Sequence, residues 1–252
     1  LYQLQQITNG TLKIKRRLKK MIQILIIIGF CILTYLLCSI PFGKIIGKSK
    51  IGKLKSVDPQ IVGSGNIGAT NLSRTAGWQK GIITAVLDVA KAAIPVFLAK
   101  IFLQLDLQSG WQPNVILLFV IISALLGSIF PVWLKFKGGK GMSVLMGSLL
   151  VILGWKWWLL LLVCFVVTII IAKRIVSIAS LTLVGLFLLI LGIIWQIIWH
   201  IPILCYLWLP ASALIFWAHR ENIVKLQKGE EPSYPIPNIF TRSKNKKPGL
   251  GT

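Results

Sequence analysis

Lys137-Gly138-Gly139-Lys140-Gly141-Met142-Ser143-Val144-Leu145-Met146-Gly147-Ser148-Leu149-Leu150-Val151-Ile152-Leu153-Gly154 is the stretch on which the fold turns. It opens as a basic, glycine-rich segment and continues as an apolar run from Met142 to Leu153 of only about 12 residues, short against the ~20 that cross hydrocarbon. Counted as a crossing, it is the fourth of seven candidate spans. The others are Ile22 to Pro41, Gly81 to Lys100, Asn114 to Phe130, Trp157 to Ala172, Ile178 to Trp199 and Ile201 to Trp217. With seven spans and the N-terminus outside, the cytoplasmic side holds Lys44, Lys48, Lys50, Lys53, Lys55, Arg74, Lys80, Lys135, Lys137, Lys140, Lys173, Arg174 and the basic tail after Trp217, while Lys100 and Lys156 stay outside. Without the short span, Lys173-Arg174 and the whole tail change sides. The expectation is therefore an all-α integral membrane protein of about seven transmembrane helices, N-terminus outside and C-terminus cytoplasmic.

Composition points the same way. Apolar residues make up 56% of the 252-residue chain and charged residues 13%, a balance that suits lipid burial and not a soluble core. The net charge of +22 would suggest nucleic acid in a soluble protein. Here the cations sit beside hydrophobic spans, which fits orientation in an anionic membrane and capture of anionic substrates, so no nucleic-acid partner is expected. Cys31, Cys38, Cys164 and Cys205 lie in apolar runs without C-x-x-C spacing or a nearby histidine, and read as small hydrophobes. No metal or cofactor is expected from them.

The N-terminal 20 residues conflict with this orientation. Lys13, Lys15, Arg16, Arg17, Lys19 and Lys20 form a cluster that the positive-inside rule would keep in the cytoplasm. The run that follows is too long for a signal peptide and lacks a small-residue cleavage site. The expectation is a native start at Met21, with residues 1–20 an upstream extension without a structural role. Residues 21–231 would then form the polytopic membrane domain, and 232–252 a basic, disordered cytoplasmic tail.

Three polar segments fall on one face of this topology. The first carries Gly63, Ser64, Gly65, Asn66, Gly68, Thr70, Asn71 and Arg74, whose amides, hydroxyls and guanidinium suit phosphate oxygens; a flexible interhelical turn is the alternative. The second sets Lys137, Gly138, Gly139, Lys140 and Gly141 before an apolar helix, an anion site by its N-terminal amides or else a positive-inside anchor. The third is His219-Arg220-Glu221-Asn222, where His219 could be a base, a phosphate donor or an interfacial cap. His200, between Trp199 and Pro202, reads as a boundary residue. Gly43-Lys44-Ile45-Ile46-Gly47-Lys48-Ser49 resembles a P-loop, but its glycines are one residue too close, which argues against an NTPase. Within the spans, Asp88 and Lys91 stand at i, i+3 and suit a structural ion pair, or a proton relay or substrate-facing lysine.

Ser39-Ile40-Pro41-Phe42-Gly43, Gly63 to Asn71, Phe136 to Gly141 and His219-Arg220-Glu221-Asn222-Ile223 together resemble the motifs of the PlsY family, bacterial acyl-phosphate:glycerol-3-phosphate acyltransferases, from about Met21 to Glu231. The resemblance implies a seven-helix enzyme of the bacterial plasma membrane, its site facing the cytoplasm. Its implied reaction moves a fatty acyl group from acyl phosphate to the sn-1 hydroxyl of glycerol 3-phosphate, giving lysophosphatidic acid and phosphate. It assigns catalysis to Ser64, Arg74, Lys140, His219 and Asn222, and adds Ser177, in the fifth interhelical loop, to the binding set. Implied partners are the two substrates, membrane lipid and an enzyme that produces acyl phosphate; no cofactor is implied. One departure stands out: Ser128 follows Gly127 where the family generally has histidine. The chain also lacks the H-x4-D pair of acyltransferases that use thioester donors, in keeping with acyl phosphate. An anion transporter is the competing class, although a transport site would be expected nearer mid-membrane than these loops.

Overall fold

The computed structural model describes residues 2–51, 54–105, 111–199 and 203–233, and among them every regular element is helical. Lys53, His200, the side chain of Cys205 and residues 234–252 of the expected tail lie outside the described residues. Helix α1 (Tyr2–Cys38) runs unbroken through Met21, so the basic N-terminal segment continues the first apolar helix. It stops where Ser39-Ile40-Pro41 begins, because a residue before proline is pushed out of the helical region; Ser39 Oγ caps the end by donating to the Tyr35 carbonyl at 2.8 Å. A short α2 (Phe42–Lys48) follows, then α3 (Ala69–Ala76), α4 (Trp78–Phe102) and α5 (Trp111–Ile129).

The decisive stretch forms α6 (Met142–Ile171), which is not straight. Gly154 adopts φ 75°, ψ 166°, open to glycine and outside any helix. The Trp158 indole donates to the Met146 carbonyl at 2.8 Å. Twelve residues along a continuous helix are about 18 Å, beyond the reach of an indole, so the chain must turn back at Gly154. The two legs match the expected spans Met142 to Leu153 and Trp157 to Ala172. The first leg is buried on nearly every side, through Val144, Leu145, Gly147, Ser148 and Leu149, whereas the second leaves Leu159, Val163, Ile170 and other large apolar side chains exposed. The short leg therefore belongs to the protein interior and the long one to its lipid-facing wall.

Beyond α6, α7 (Val176–Thr182), a wider π turn at Leu183–Phe187 and α8 (Leu188–Trp199) form one apolar rod. Ser212 Oγ of α9 (Ile203–Ala218) donates to the Val184 carbonyl at the π turn, at 3.3 Å. The polar α10 (Arg220–Gln227) closes the order. Among the described residues, five segments are long and apolar enough to cross a membrane: Leu12–Lys48, Trp78–Phe102, Pro113–Leu134, Met142–Ile171 and Val176–Ile198. Leu209–Ala218 is a shorter apolar helix.

Two cross-links position the site. Gly147 lets α6 lie directly on α4; a Cβ there would sit 2.2 Å from the Val89 carbonyl oxygen. Lys80, counted from the sequence among the cytoplasmic-side cations, is fully buried. Its ammonium donates to the carbonyls of Gly47, Ser49 and Lys55 at 2.9, 2.8 and 2.9 Å, using all three of its protons to fasten α2 and the following loop to α4.

Candidate active site

The first loop is shaped by two asparagine side chains. Asn71, 2% exposed, accepts the Ser64 N–H at 2.9 Å and donates to the carbonyls of Pro59, Val62 and Asn66 at 3.1, 3.0 and 2.9 Å. Asn66 Oδ1 accepts the Gly68 N–H at 2.9 Å, a turn that leads into α3. The amides of Ser64 and Gly68 are thus committed inside the protein. What the loop offers outward is the Ser64 hydroxyl, Thr70 and the Arg74 guanidinium.

The second segment is held by backbone. Lys135 and Phe136 take left-handed φ values of 52° and 62°, turning the chain so that the N–H groups of Gly138 and Gly139 meet the Ile129 and Ser128 carbonyls at 3.2 and 3.0 Å. Those bonds satisfy the otherwise unpaired end of α5. Lys140 is left projecting, and its ammonium donates to Asn222 Oδ1.

The third segment meets both. Asn222, in the first turn of α10, donates through Nδ2 to Ser177 Oγ at 3.1 Å and to Glu231 Oε1. Ser177 Oγ itself donates to Glu231 Oε1. Expected in a loop, Ser177 lies at the start of α7. After α10 the chain crosses the site, where Arg74 Nη2 donates to the Pro232 carbonyl at 3.0 Å. His219 is buried between α9 and α10, its Nδ1 2.8 Å from the Ile215 carbonyl. A carbonyl only accepts, so Nδ1 carries the proton and Nε2 keeps its lone pair.

The charges are tuned by burial. It pushes the Lys140 ammonium down to about 8, with the Glu231 carboxylate pulling the other way and the charges of Lys225 and Arg74 adding to the depression. It also pushes His219 down to about 4, helped by the charge of Lys140. At neutral pH Lys140 is mostly cationic and His219 neutral.

These groups surround one end of a cavity of about 970 Å³. Ser64, Asn66, Gly68, Thr70, Asn71, Arg74, Gly139, Lys140, Gly141, Ser177, His219 and Asn222 line it; Gly63, Gly65, Lys137 and Gly138 do not. Ser128, the departure noted above, lines it as well. Asp88 and Lys91 form their ion pair at 2.7 Å and also face the cavity, while Lys91 donates to the Ile40 carbonyl at 3.0 Å. The structure adds Lys225 and Glu231. In a chain with six acidic residues against 28 basic ones, the scarcity of carboxylates was the available signal for Glu231. Away from the cations the walls are apolar, built from Ile82, Val86 and Ile94 of α4 and Met146, Leu150 and Phe165 of α6. Such a space suits an amphiphile with a phosphate head. Among the described residues no three His, Cys, Asp or Glu side chains gather to hold a metal.

Residues 28–229 match the family model for glycerol-3-phosphate acyltransferase. A protein of that name from Anaeromyxobacter sp. (strain Fw109-5) is 38% identical over 200 residues, covering 78% of this chain and 91% of its own length. Another, from Desulfovibrio desulfuricans, is 35% identical over 219 residues, 87% of each chain. The crystal structure of PlsY (YgiH), an integral membrane glycerol 3-phosphate acyltransferase, superposes in its glycerol 3-phosphate form with a TM-score of 0.70 at 32% identity, covering 83% of this chain and 96% of that one. Its lysophosphatidic acid form gives 0.68 at the same identity.

Proposed function

Since this chain belongs to the glycerol-3-phosphate acyltransferase family, we propose that it transfers a fatty acyl group from acyl phosphate to the sn-1 hydroxyl of glycerol 3-phosphate, releasing lysophosphatidic acid and inorganic phosphate. The observation that carries this reading is a cavity whose cationic end opens directly into an apolar trough. A hydrophilic phosphate ester and a lipid-like acyl donor need such a junction.

Arg74 and Lys140 neutralise substrate phosphates, and Ser64 donates a hydrogen bond to their oxygens; Ser177 can join them only by turning its proton away from Glu231. Asn222 holds Lys140 in place through its Oδ1. In the transfer the glycerol oxygen bonds to the acyl carbon, the bond from that carbon to the phosphate oxygen breaks, and the hydroxyl proton passes to a substrate phosphate. With a basicity of about 4, His219 is a poor proton sink but a good hydrogen-bond acceptor through Nε2, which suits orienting the attacking hydroxyl. Acyl phosphate is already activated, so alignment and charge neutralisation supply the acceleration.

The proposed topology has seven crossings, with Met142–Ile171 contributing two at its Gly154 turn, the N-terminus outside and the site on the cytoplasmic face of the bacterial plasma membrane. The acyl donor would be supplied by a neighbouring enzyme that makes acyl phosphate. The decisive assay gives the purified protein in detergent acyl phosphate and glycerol 3-phosphate, with acyl-CoA in a parallel reaction and controls lacking acceptor. Acceptor-dependent phosphate release with lysophosphatidic acid formed is expected. Anion uptake into vesicles without acyl transfer would favour a transporter instead.

A further inference from the structure

The cavity does not end where the site's polar groups would leave an acyl chain of modest length. A second cavity of about 780 Å³ adjoins it and shares three wall residues, Ala93, Ile94 and Leu150. It continues past Phe97, Ile101 and Val151 and finishes at Lys100, Gln104 and Gly154. The same face of α4 lines both spaces: Ile82, Val86, Ala90, Ile94, Phe97 and Ile101 recur at helical spacing. The larger side chains in that stripe are more than half exposed, from 52% at Phe97 to 60% at Val86. Facing it, Met142, Met146, Leu150 and Gly154 repeat every fourth residue along the first leg of α6. Two helices thus wall one trough that starts at Lys140 and stops at the Gly154 turn.

Its length is informative. From Ile82 to Ile94 the proximal wall measures about 18 Å along α4, slightly more than one leaflet of a ~30 Å hydrocarbon core. From Ile94 to Ile101 the distal cavity adds about 10 Å. Lys100 and Gln104 then close the apolar path with polar groups.

We infer that the distal cavity is a chain-length site: it receives the methyl end of long acyl chains, and Phe97 and Val151 set how far a chain can reach. The inference rests on the acyltransferase reading. The head of the chain is fixed at Lys140 and the tail must follow the trough, so extra methylenes enter the distal cavity or stay in water or lipid. Against lipid or detergent, which are as apolar as the cavity, a buried methylene gains little, so the preference comes from how far the walls let a chain extend before it clashes.

The test measures kcat/KM for acyl phosphates of increasing chain length, from those that fill only the proximal trough to those that extend past it. Val151→Phe narrows the distal cavity, and Phe97→Ala enlarges it. Val151→Phe is expected to lower the long-to-short ratio at least about tenfold, and Phe97→Ala to leave it level or raise it. The same length profile in wild type and both variants would overturn the inference and make this surface ordinary lipid-facing wall. So would parallel changes in both variants. Absence of acyl transfer with every donor in the wild type would instead defeat the acyltransferase reading, which keeps the two failures apart.

Discussion

The two glycine-rich loops that flank the cavity resemble each other in composition and are held by different means. Around Ser64 the chain is knotted by side chains, with Asn71 joined to four backbone positions. Around Gly139 it is tied by its own amides to the end of α5, and only one side chain, Lys140, is extended into the site. In both loops, glycine amides that could have gripped an anion are spent internally. The glycines allow close approach; in the proposed reaction the anion-binding chemistry falls to Arg74, Lys140 and Ser64. A glycine-rich segment beside a cation therefore marks where a phosphate site is built without saying which of its atoms meet the phosphate.

The comparison breaks first at Lys140. Lys140→Ala should lower turnover roughly 10²- to 10³-fold while leaving thermal stability in detergent unchanged, because the loop is tied by backbone bonds that the substitution spares. Near-normal activity would remove its assigned role. Next, kcat/KM for glycerol 3-phosphate should fall as pH rises through about 8, approaching tenfold per unit, since the cationic form of Lys140 that holds phosphate is the one lost. Lys140→Arg should carry that limb beyond the accessible range.

Asn71→Ala should do the reverse of Lys140→Ala in kind: about 3 kcal/mol of stability lost as its partners are left unpaired, read as a lowered melting temperature, with activity falling as a consequence. A finer contrast lies between neighbouring glycines. A Cβ on Gly138 would sit 2.3 Å from Pro131 Cδ and 2.4 Å from the Ser128 oxygen, so Gly138→Ala should cost about 1–3 kcal/mol. On Gly139 the nearest atom is 3.7 Å away, and Gly139→Ala should leave stability nearly as it was. Equal behaviour of the pair would show that the close approach of Gly138 to Pro131 and Ser128 is not what constrains the loop. The smallest effect belongs to Ser128→His, which should preserve or raise activity; a clear loss would show that Ser128 is adapted to this cavity.

Much of this was legible in the residues and some was not. The break near Gly154 was legible only as the boundary between two expected spans, the shorter kept because Lys173, Arg174 and the tail would otherwise change sides; the turn itself was not foreseen. The pairing of Asp88 with Lys91 was readable, their spacing placing them on one helix face. The burial of Lys80 was not legible: nothing within its own segment announces three carbonyls contributed by Gly47, Ser49 and Lys55. Glu231 was seen only as the end of the membrane domain, since its partners Ser177 and Asn222 come from two separate helices, α7 and α10.

From the sequence alone came a membrane protein of apolar helices, three polar segments that belong together, and the cations that suit a phosphate. Those properties follow from hydropathy, helical period and residue chemistry, all of which act over a few neighbouring positions. The tertiary structure decided which amides were already spent, which carboxylate joined the site and how far the apolar trough runs between α4 and α6. Each of these depends on atoms brought together from distant parts of the chain, where packing and the need to satisfy every buried polar group select among the options that local sequence leaves open.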